Sequence, residues 1–302
     1  SAIIGGVIIT FITGCKLAIK GPAAGLIVIV AGAVTEFGGG TEGWKMAAGV
    51  MVVAGVLQIL FGLIKLGKYV DFFPLSAIHG MLAAIGLIII AKQIPVLLND
   101  NPVLSKGKGP FELFYDIPMF IANLDPRASL IGVVSLIIML GWPLVKHKGL
   151  SKIPSPLLVL IFAIPAGMYM NFSTTEPEYT LVKVGSLIDS LAINANFTGV
   201  NQIGVFIKYV IMFALVGSLE SLLTVKAIDL LDPFKRKSNP NKDLIATGIG
   251  NTIAAFLGGY PMISEVARSS ANIKNEQKHV GQIFFMVLFY WFLCWWHILC
   301  SK

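Results

Sequence analysis

Charge is what this sequence has least of. Only 13% of its 302 residues are Asp, Glu, Lys or Arg, about half the share of an ordinary soluble domain. Against 56% hydrophobic residues and a mean hydropathy of +0.81, that excludes a disordered chain and a nucleic-acid-binding protein. A single water-soluble core of this length cannot bury so much apolar surface. Cysteine is scarce as well. Cys15, Cys294 and Cys300 show no metal-ligand spacing and build no disulfide framework, so they are expected to act as small apolar filler. His79, His147, His279 and His297 have no partner spacing, and no HExxH, Walker loop, CxxC or GxSxG occurs. No enzyme, catalytic residue, cofactor or metal centre is therefore expected. The first apolar segment has neither an initiator Met nor a basic flank, so no signal peptide is expected and the chain reads as a fragment or a processed product.

What is present is apolar sequence in long runs. A spanning helix needs about 20 mostly apolar residues. Ten candidate segments are expected: 2–12, 22–34, 44–64, 74–97, 130–145, 154–170, 203–223, 244–257, 262–273 and 280–299. The first, second, eighth and ninth are too short to cross a bilayer as continuous helices. This is an all-α polytopic membrane protein with no soluble domain. Residues 180–184 are expected to form a short strand, and the aromatic run 290–297 an interfacial belt.

The net charge is +7, from 23 Lys and Arg against 16 Asp and Glu. Its distribution reports topology. Lys65 and Lys68, then Lys146, Lys148 and Lys152, then Lys235, Arg236, Lys237 and Lys242, then Lys274 and Lys278 all fall in loops on one face. The opposite loops hold Glu36 and Glu42, then Asp100, Glu112, Asp116 and Asp125, then Glu176, Glu178 and Asp189. Lys and Arg collect in cytoplasmic loops, which makes the first set cytoplasmic. The partners expected are a lipid bilayer and a small anion, with no nucleic acid; a homodimer is left open.

Two short segments open on proline. Lys20-Gly21-Pro22-Ala23-Ala24 leads into an apolar run, and Gly259-Tyr260-Pro261 leads into Met262-Ile-Ser264-Glu265-Val266-Ala-Arg268. Proline suits the first turn of a helix, where its missing N–H is no loss. Short, Gly/Pro-interrupted segments in corresponding places of two halves point to a transporter binding site. Two half-helix N-termini at mid-membrane offer unpaired N–H groups and positive dipole ends, which suit an anion. Gly21, Pro22, Ala23, Ala24, Ser264, Glu265, Val266 and Arg268 are the expected substrate-binding residues. Ser264, Glu265 and Arg268 are expected just past the second N-terminus, with Arg268 facing the anion or paired to Glu265. Lys16 and Lys20 are expected to snorkel to the surface.

Glu220 lies in an otherwise apolar helix, and an ionisable group there costs about 2.5 to 3.5 kcal/mol on insertion scales, so it usually marks an ion or proton path. Thr224 follows at i+4, on the same helix face. The pair suits a proton site or part of a Na⁺ site. The alternative is a Glu220 near the cytoplasmic end, paired with Lys226 or reaching water.

Four strings carry a resemblance: residues 20–26 (KGPAAGL), 72–86 (FFPLSAIHGMLAAIG), 220–224 (ESLLT) and 261–273 (PMISEVARSSANI). In this order they resemble the SulP (sulfate permease) family of anion transporters over roughly residues 1–275. The resemblance implies an inverted-repeat (7+7 type) fold, split into core and gate domains. Residues 1–70 and 201–302 would belong to the core and 71–200 to the gate. The chain would begin at the family's second helix and end near its eleventh, without the STAS domain, leaving an incomplete fold of about ten transmembrane or half-membrane helices. The anion would lie between the segments opening at Pro22 and Pro261, and Glu220 and Thr224 would couple the ion. Val266 stands where Na⁺-coupled relatives often carry a hydroxyl, which favours H⁺ over Na⁺. The expected function is secondary transport of sulfate, bicarbonate or a dicarboxylate in the bacterial inner membrane. The rival readings are a nucleobase permease of the same architecture, a non-transporting membrane component and a channel.

Overall fold

The computed structural model describes residues 1–72, 74–98, 108–145, 155–170, 172 and 195–274. The expected strand at 180–184, the span 280–299, its aromatic run, Cys294 and Cys300 lie outside the described residues. The chain forms two compact units, residues 1–80 with 185–302 and residues 81–184.

The first unit begins with α1 (Ala2–Ile12), whose middle, Gly5–Ile9, widens into a π-helix. Strand β1 (Ile19–Pro22), a 3₁₀ turn (Ala24–Leu26) and α2 (Ile27–Glu36) follow. Gly38, Gly39 and Gly40 all have positive φ, at 95°, 73° and 60°, which only glycine adopts freely. They reverse the chain into α3 (Gly40–Leu63). This is a long apolar helix of 24 residues. After a 3₁₀ segment (Leu66–Phe72), α4 (Leu75–Leu98) carries the chain out of this unit.

In the second unit, two six-residue helices, α5 (Pro110–Tyr115) and α6 (Ile117–Ala122), precede α7 (Pro126–Gly141) and α8 (Ser155–Tyr169). Asp125 caps α7 by accepting from the N–H groups of Arg127 and Ala128, and Pro126 occupies the first position, where no donor is lost. Ala91, Leu113 and Phe120 form a small buried cluster here.

The chain re-enters the first unit at a 3₁₀ segment (Phe197–Gln202) and continues as α9 (Ile203–Leu231), α10 (Pro240–Phe256), β2 (Met262–Glu265) and α11 (Val266–Lys274). Asp232 ends α9, as the Asp-Pro pair predicts. Asn239 caps α10 through the N–H groups of Asn241 and Lys242. This cap starts α10 four residues before the predicted Leu244, which brings Asp243 inside the helix.

The core of this unit packs α2, α3 and α9 together around Val30, Ala47, Val50, Met51 and Phe213. Helices α3 and α10 approach so closely that a Cβ on Gly248 would lie 2.7 Å from the Gly55 carbonyl oxygen. Small residues serve this purpose in membrane helices, where apolar side chains gain nothing by leaving lipid and association depends on close van der Waals contact.

Candidate functional site

Strands β1 and β2 pair antiparallel, with Ile19 opposite Glu265, Lys20 opposite Ser264, Gly21 opposite Ile263 and Pro22 opposite Met262. The Ala23 N–H donates to the Pro261 carbonyl at 2.9 Å, one step past the ladder. Two segments about 240 residues apart in sequence therefore satisfy each other's backbone. Irregular backbone at membrane depth survives only where it is buried in protein or lines a cavity, and these strands are buried. The prolines are placed differently from expectation. Pro22 closes a strand and Pro261 precedes one; neither opens a helix. A helical 262–265 could not pair with 19–22, so the extended form wins. The helices start later, at Ala24 with its 3₁₀ turn and at Val266. Ser264 and Glu265 consequently precede the second helix start.

Because the strands run antiparallel, the two helix starts leave from opposite ends of the ladder. Four residues at about 3.3 Å each put them on the order of 10 Å apart. Two further anchors hold the ladder. Asn251 on α10 accepts from the Met262 N–H at 2.6 Å and donates to Gln58 of α3 at 2.7 Å. Ser269 of α11 accepts from the Ile19 N–H at 2.9 Å.

Strand alternation sorts the side chains onto two faces. On one face lie the cross-strand partners Lys20 and Ser264, both buried. The Lys20 ammonium donates to Asp243 Oδ2 at 2.5 Å, Thr247 Oγ1 at 3.0 Å and Ser264 Oγ at 2.5 Å. Ser221 of α9 joins through Thr247 and Ser264, and Thr13 donates to Asp243 Oδ1 at 2.7 Å. Lys20 does not snorkel. An ammonium with all three protons bonded, one of them to a carboxylate, is stable where it sits, and Asp243 was hidden from sequence reading because it adjoins a basic loop. Lys16 is exposed, as expected.

The other face carries Gly21 and Glu265. A Cβ on Gly21 would collide with Glu265 Oε1 and come within 2.8 Å of Arg268 Nη1. Glycine is required there because the two charged groups fill the space above its Cα. Arg268 Nε pairs with Glu265 Oε2 at 2.8 Å, one of the two roles expected for Arg268. Glu265 Oε1 is buried with no hydrogen-bond partner, while the Arg268 side chain is 50% exposed.

Glu220 reaches the same neighbourhood from α9. A Cβ on Gly25 would lie 2.9 Å from its carboxyl carbon, and the charge of Glu265 is felt there. Glu220 and Thr224 are buried, at 7% and 2% exposure. Eleven residues of α9 follow Glu220, about 16 Å of helix, so it is not at the helix end. Lys226 pairs with Asp71 instead. The structure thus brings Gly21, Pro22, Ala23, Ala24, Glu265, Val266, Arg268 and Glu220 around one strand pair. Ser264 turns to the opposite face, toward Lys20, and Thr224 lies one turn beyond Glu220. On the basic-loop side, a cleft of about 560 Å³ is lined by Lys226, Lys235, Arg236 and Lys237 together with Asp71 and Asp229.

Residues 1–296 match the sulfate permease family. YvdB of Bacillus subtilis, named for sulfate transport, is 29% identical over 91% of this chain and 49% of its own length. The bicarbonate transporter BicA of Picosynechococcus is 25% identical over 91% of this chain and 47% of its own. The chain therefore spans about half the length of the curated relatives it matches. The solved transmembrane domain of a cyanobacterial BicA superposes with a TM-score of 0.72 at 24% identity, covering 95% of this chain and 72% of that one. SLC26A9 superposes with a TM-score of 0.63 at 14% identity, covering 94% and 48%.

Proposed function

This chain belongs to the sulfate permease family, a family of transporters and not of enzymes, and we propose that it forms the membrane-embedded part of a proton-coupled secondary carrier of small anions. The likeness to solved transmembrane domains supports an all-α, integral membrane fold. The observation that carries the reading is the β1–β2 ladder. It gathers two helix N-termini beside a buried carboxylate and a half-exposed guanidinium, in the middle of an apolar chain. Backbone N–H groups, two positive dipole ends and Arg268 together suit an oxyanion such as sulfate, bicarbonate or a dicarboxylate. Glu220 is the coupling carboxylate, and Thr224 supports it one turn away. H⁺ rather than Na⁺ is the coupling ion, because Val266 offers no oxygen at the start of α11.

In this reading residues 1–70 and 201–302 form the core that holds the anion, and 71–200 form the gate against which it moves. The separation of residues 81–184 as their own compact unit supports that division. The basic cleft supports a cytoplasmic vestibule that concentrates anions. The site of action is the bacterial inner membrane.

The test is uptake of radiolabelled sulfate, bicarbonate and fumarate by the full-length protein in liposomes, with and without an inward pH gradient. Gradient-stimulated uptake of one of these anions is expected, with the stimulation lost in Glu220→Gln. Absence of saturable uptake of all three overturns the carrier. Stimulation retained in Glu220→Gln removes Glu220 from coupling.

A further inference from the structure

Glu265 and Arg268 are tied together where the anion is proposed to bind, and their two ends differ. Arg268 Nε is bonded to Glu265 Oε2 at 2.8 Å, but half of the Arg268 side chain is exposed. The other oxygen of Glu265 is buried without a partner, pressed over Gly21. A buried carboxylate oxygen with no donor is costly while the group is charged, and among the described residues Arg268 is the cation paired with it. Among the described residues the groups facing Glu265 are few. Arg268 comes from its own helical turn, and Glu220 of α9 adds a second negative charge nearby. Lys20 of β1, next to Gly21, is committed to Asp243 of α10 on the opposite face of the ladder. β1 otherwise presents the apolar Ile19 directly opposite and Gly21, which has no side chain, and the Ser269 hydroxyl of α11 donates to the Glu265 main-chain carbonyl.

Resting on the carrier reading above, we infer that Glu265 and Arg268 form a partner-exchange switch in which the arriving anion takes the guanidinium and the released Glu265 carboxylate takes up a proton. The charges balance. One anion enters the Arg268 contact, the Nε–H···Oε2 bond breaks, and one proton from the aqueous side facing the site bonds to Glu265. The protonated carboxyl then has an O–H of its own, and no uncompensated negative charge remains beside Glu220. Release of the anion reverses each step: the proton leaves and Arg268 returns to Glu265. Fixed geometry thus makes proton uptake a consequence of anion binding, and Glu265 becomes a second coupling carboxylate beside Glu220.

The experiment uses the full-length protein with sulfate, bicarbonate and fumarate as probes. Binding is followed by calorimetry in buffers of differing ionisation enthalpy, which reads protons taken up per anion. Uptake into liposomes reads stimulation by an inward pH gradient. Wild type is expected to take up protons on binding. Glu265→Gln is expected to bind with a several-fold lower KM, because Arg268 is no longer held, with proton uptake per anion and gradient stimulation both reduced to what Glu220 supplies. Glu265→Asp is expected to restore stimulation, which a merely structural role does not require. Arg268→Gln, useful if Glu265→Gln fails to fold, is expected to raise KM and to lower binding-linked proton uptake to what Glu220 supplies. Proton uptake and stimulation unchanged in Glu265→Gln, or unchanged proton uptake in Arg268→Gln, overturns the switch and leaves the carrier standing on Glu220 alone. A wild type that moves anions without gradient stimulation overturns both the switch and the coupling reading. A wild type that moves none overturns the carrier itself.

Discussion

The Lys20 ammonium and the Asp243 carboxylate meet at 2.5 Å with side chains 1% and 0% exposed. They join β1 to α10 behind the ladder, on the face away from Glu265. Two buried charges are tolerated because Thr13, Thr247 and Ser264 complete their hydrogen bonds. Removing one partner leaves an uncompensated charge, which costs about 3–5 kcal/mol. Lys20→Met and Asp243→Leu are each expected to lower the thermal unfolding temperature in detergent markedly. The double variant is expected to be more stable than either single one. A double variant no better than the singles would deny that the pair acts as a unit.

Asn251 holds both the Met262 N–H and Gln58. Asn251→Leu leaves that buried N–H without an acceptor, a cost of about 1–3 kcal/mol. Amide hydrogen exchange over 261–265 is expected to speed up in Asn251→Leu and to change little in Gln58→Leu, which leaves the strand contact in place.

Gly25 makes room for the Glu220 carboxylate. Adding a methyl group in a packed site costs about 1–3 kcal/mol, and here the displaced group is the proposed coupling residue. Gly25→Ala is expected to cut anion uptake about tenfold, since about 1.4 kcal/mol is a factor of ten in rate. Gly25→Ala with Glu220→Ala is expected to recover downhill uptake without gradient stimulation. Uptake measured in liposomes decides.

Outside the membrane, Asp232 ends α9 and holds Arg236, with Nε to Oδ2 at 2.7 Å. The Arg236 guanidinium, helped by the N–H groups of Phe234 and Arg236, holds its carboxyl below the usual Asp range. A depressed native pKa means stability that is fully present above the unfolded value of about 3.9 and lost as pH falls through the native value. Arg236→Gln is therefore expected to unfold at a lower temperature than wild type at pH 7. That difference is expected to shrink as pH falls below about 3.9. A difference independent of pH would place the contribution of Arg236 elsewhere.

Much of the membrane architecture was legible because hydropathy is a local property. The long helices α3 and α9, the turn at Gly38 to Gly40, the end of α9 at Asp232 and the two interrupted segments all follow from composition and spacing within a few residues. The burial of Glu220 and its i+4 neighbour Thr224 follows from one helix face. The expected helix starts at Pro22 and Pro261 were displaced, because proline signals a break without saying whether strand or helix follows it. That choice depended on a partner strand far away in sequence. Lys20 was misjudged for a related reason. A lone lysine beside an apolar run reads as a surface group unless its counter-charge is known, and Asp243 sits next to Lys242 in what reads as a loop.

From sequence alone came the bilayer as solvent, the family, and the two places where helices break, since each rests on residues near one another in the chain. Tertiary structure decided what fills those breaks: an antiparallel ladder, Lys20 with Asp243 behind it, and Glu265 set over Gly21 in front. Hydrogen bonds and charge pairs between residues more than 200 positions apart have no local signature, and only folding brings their atoms within reach.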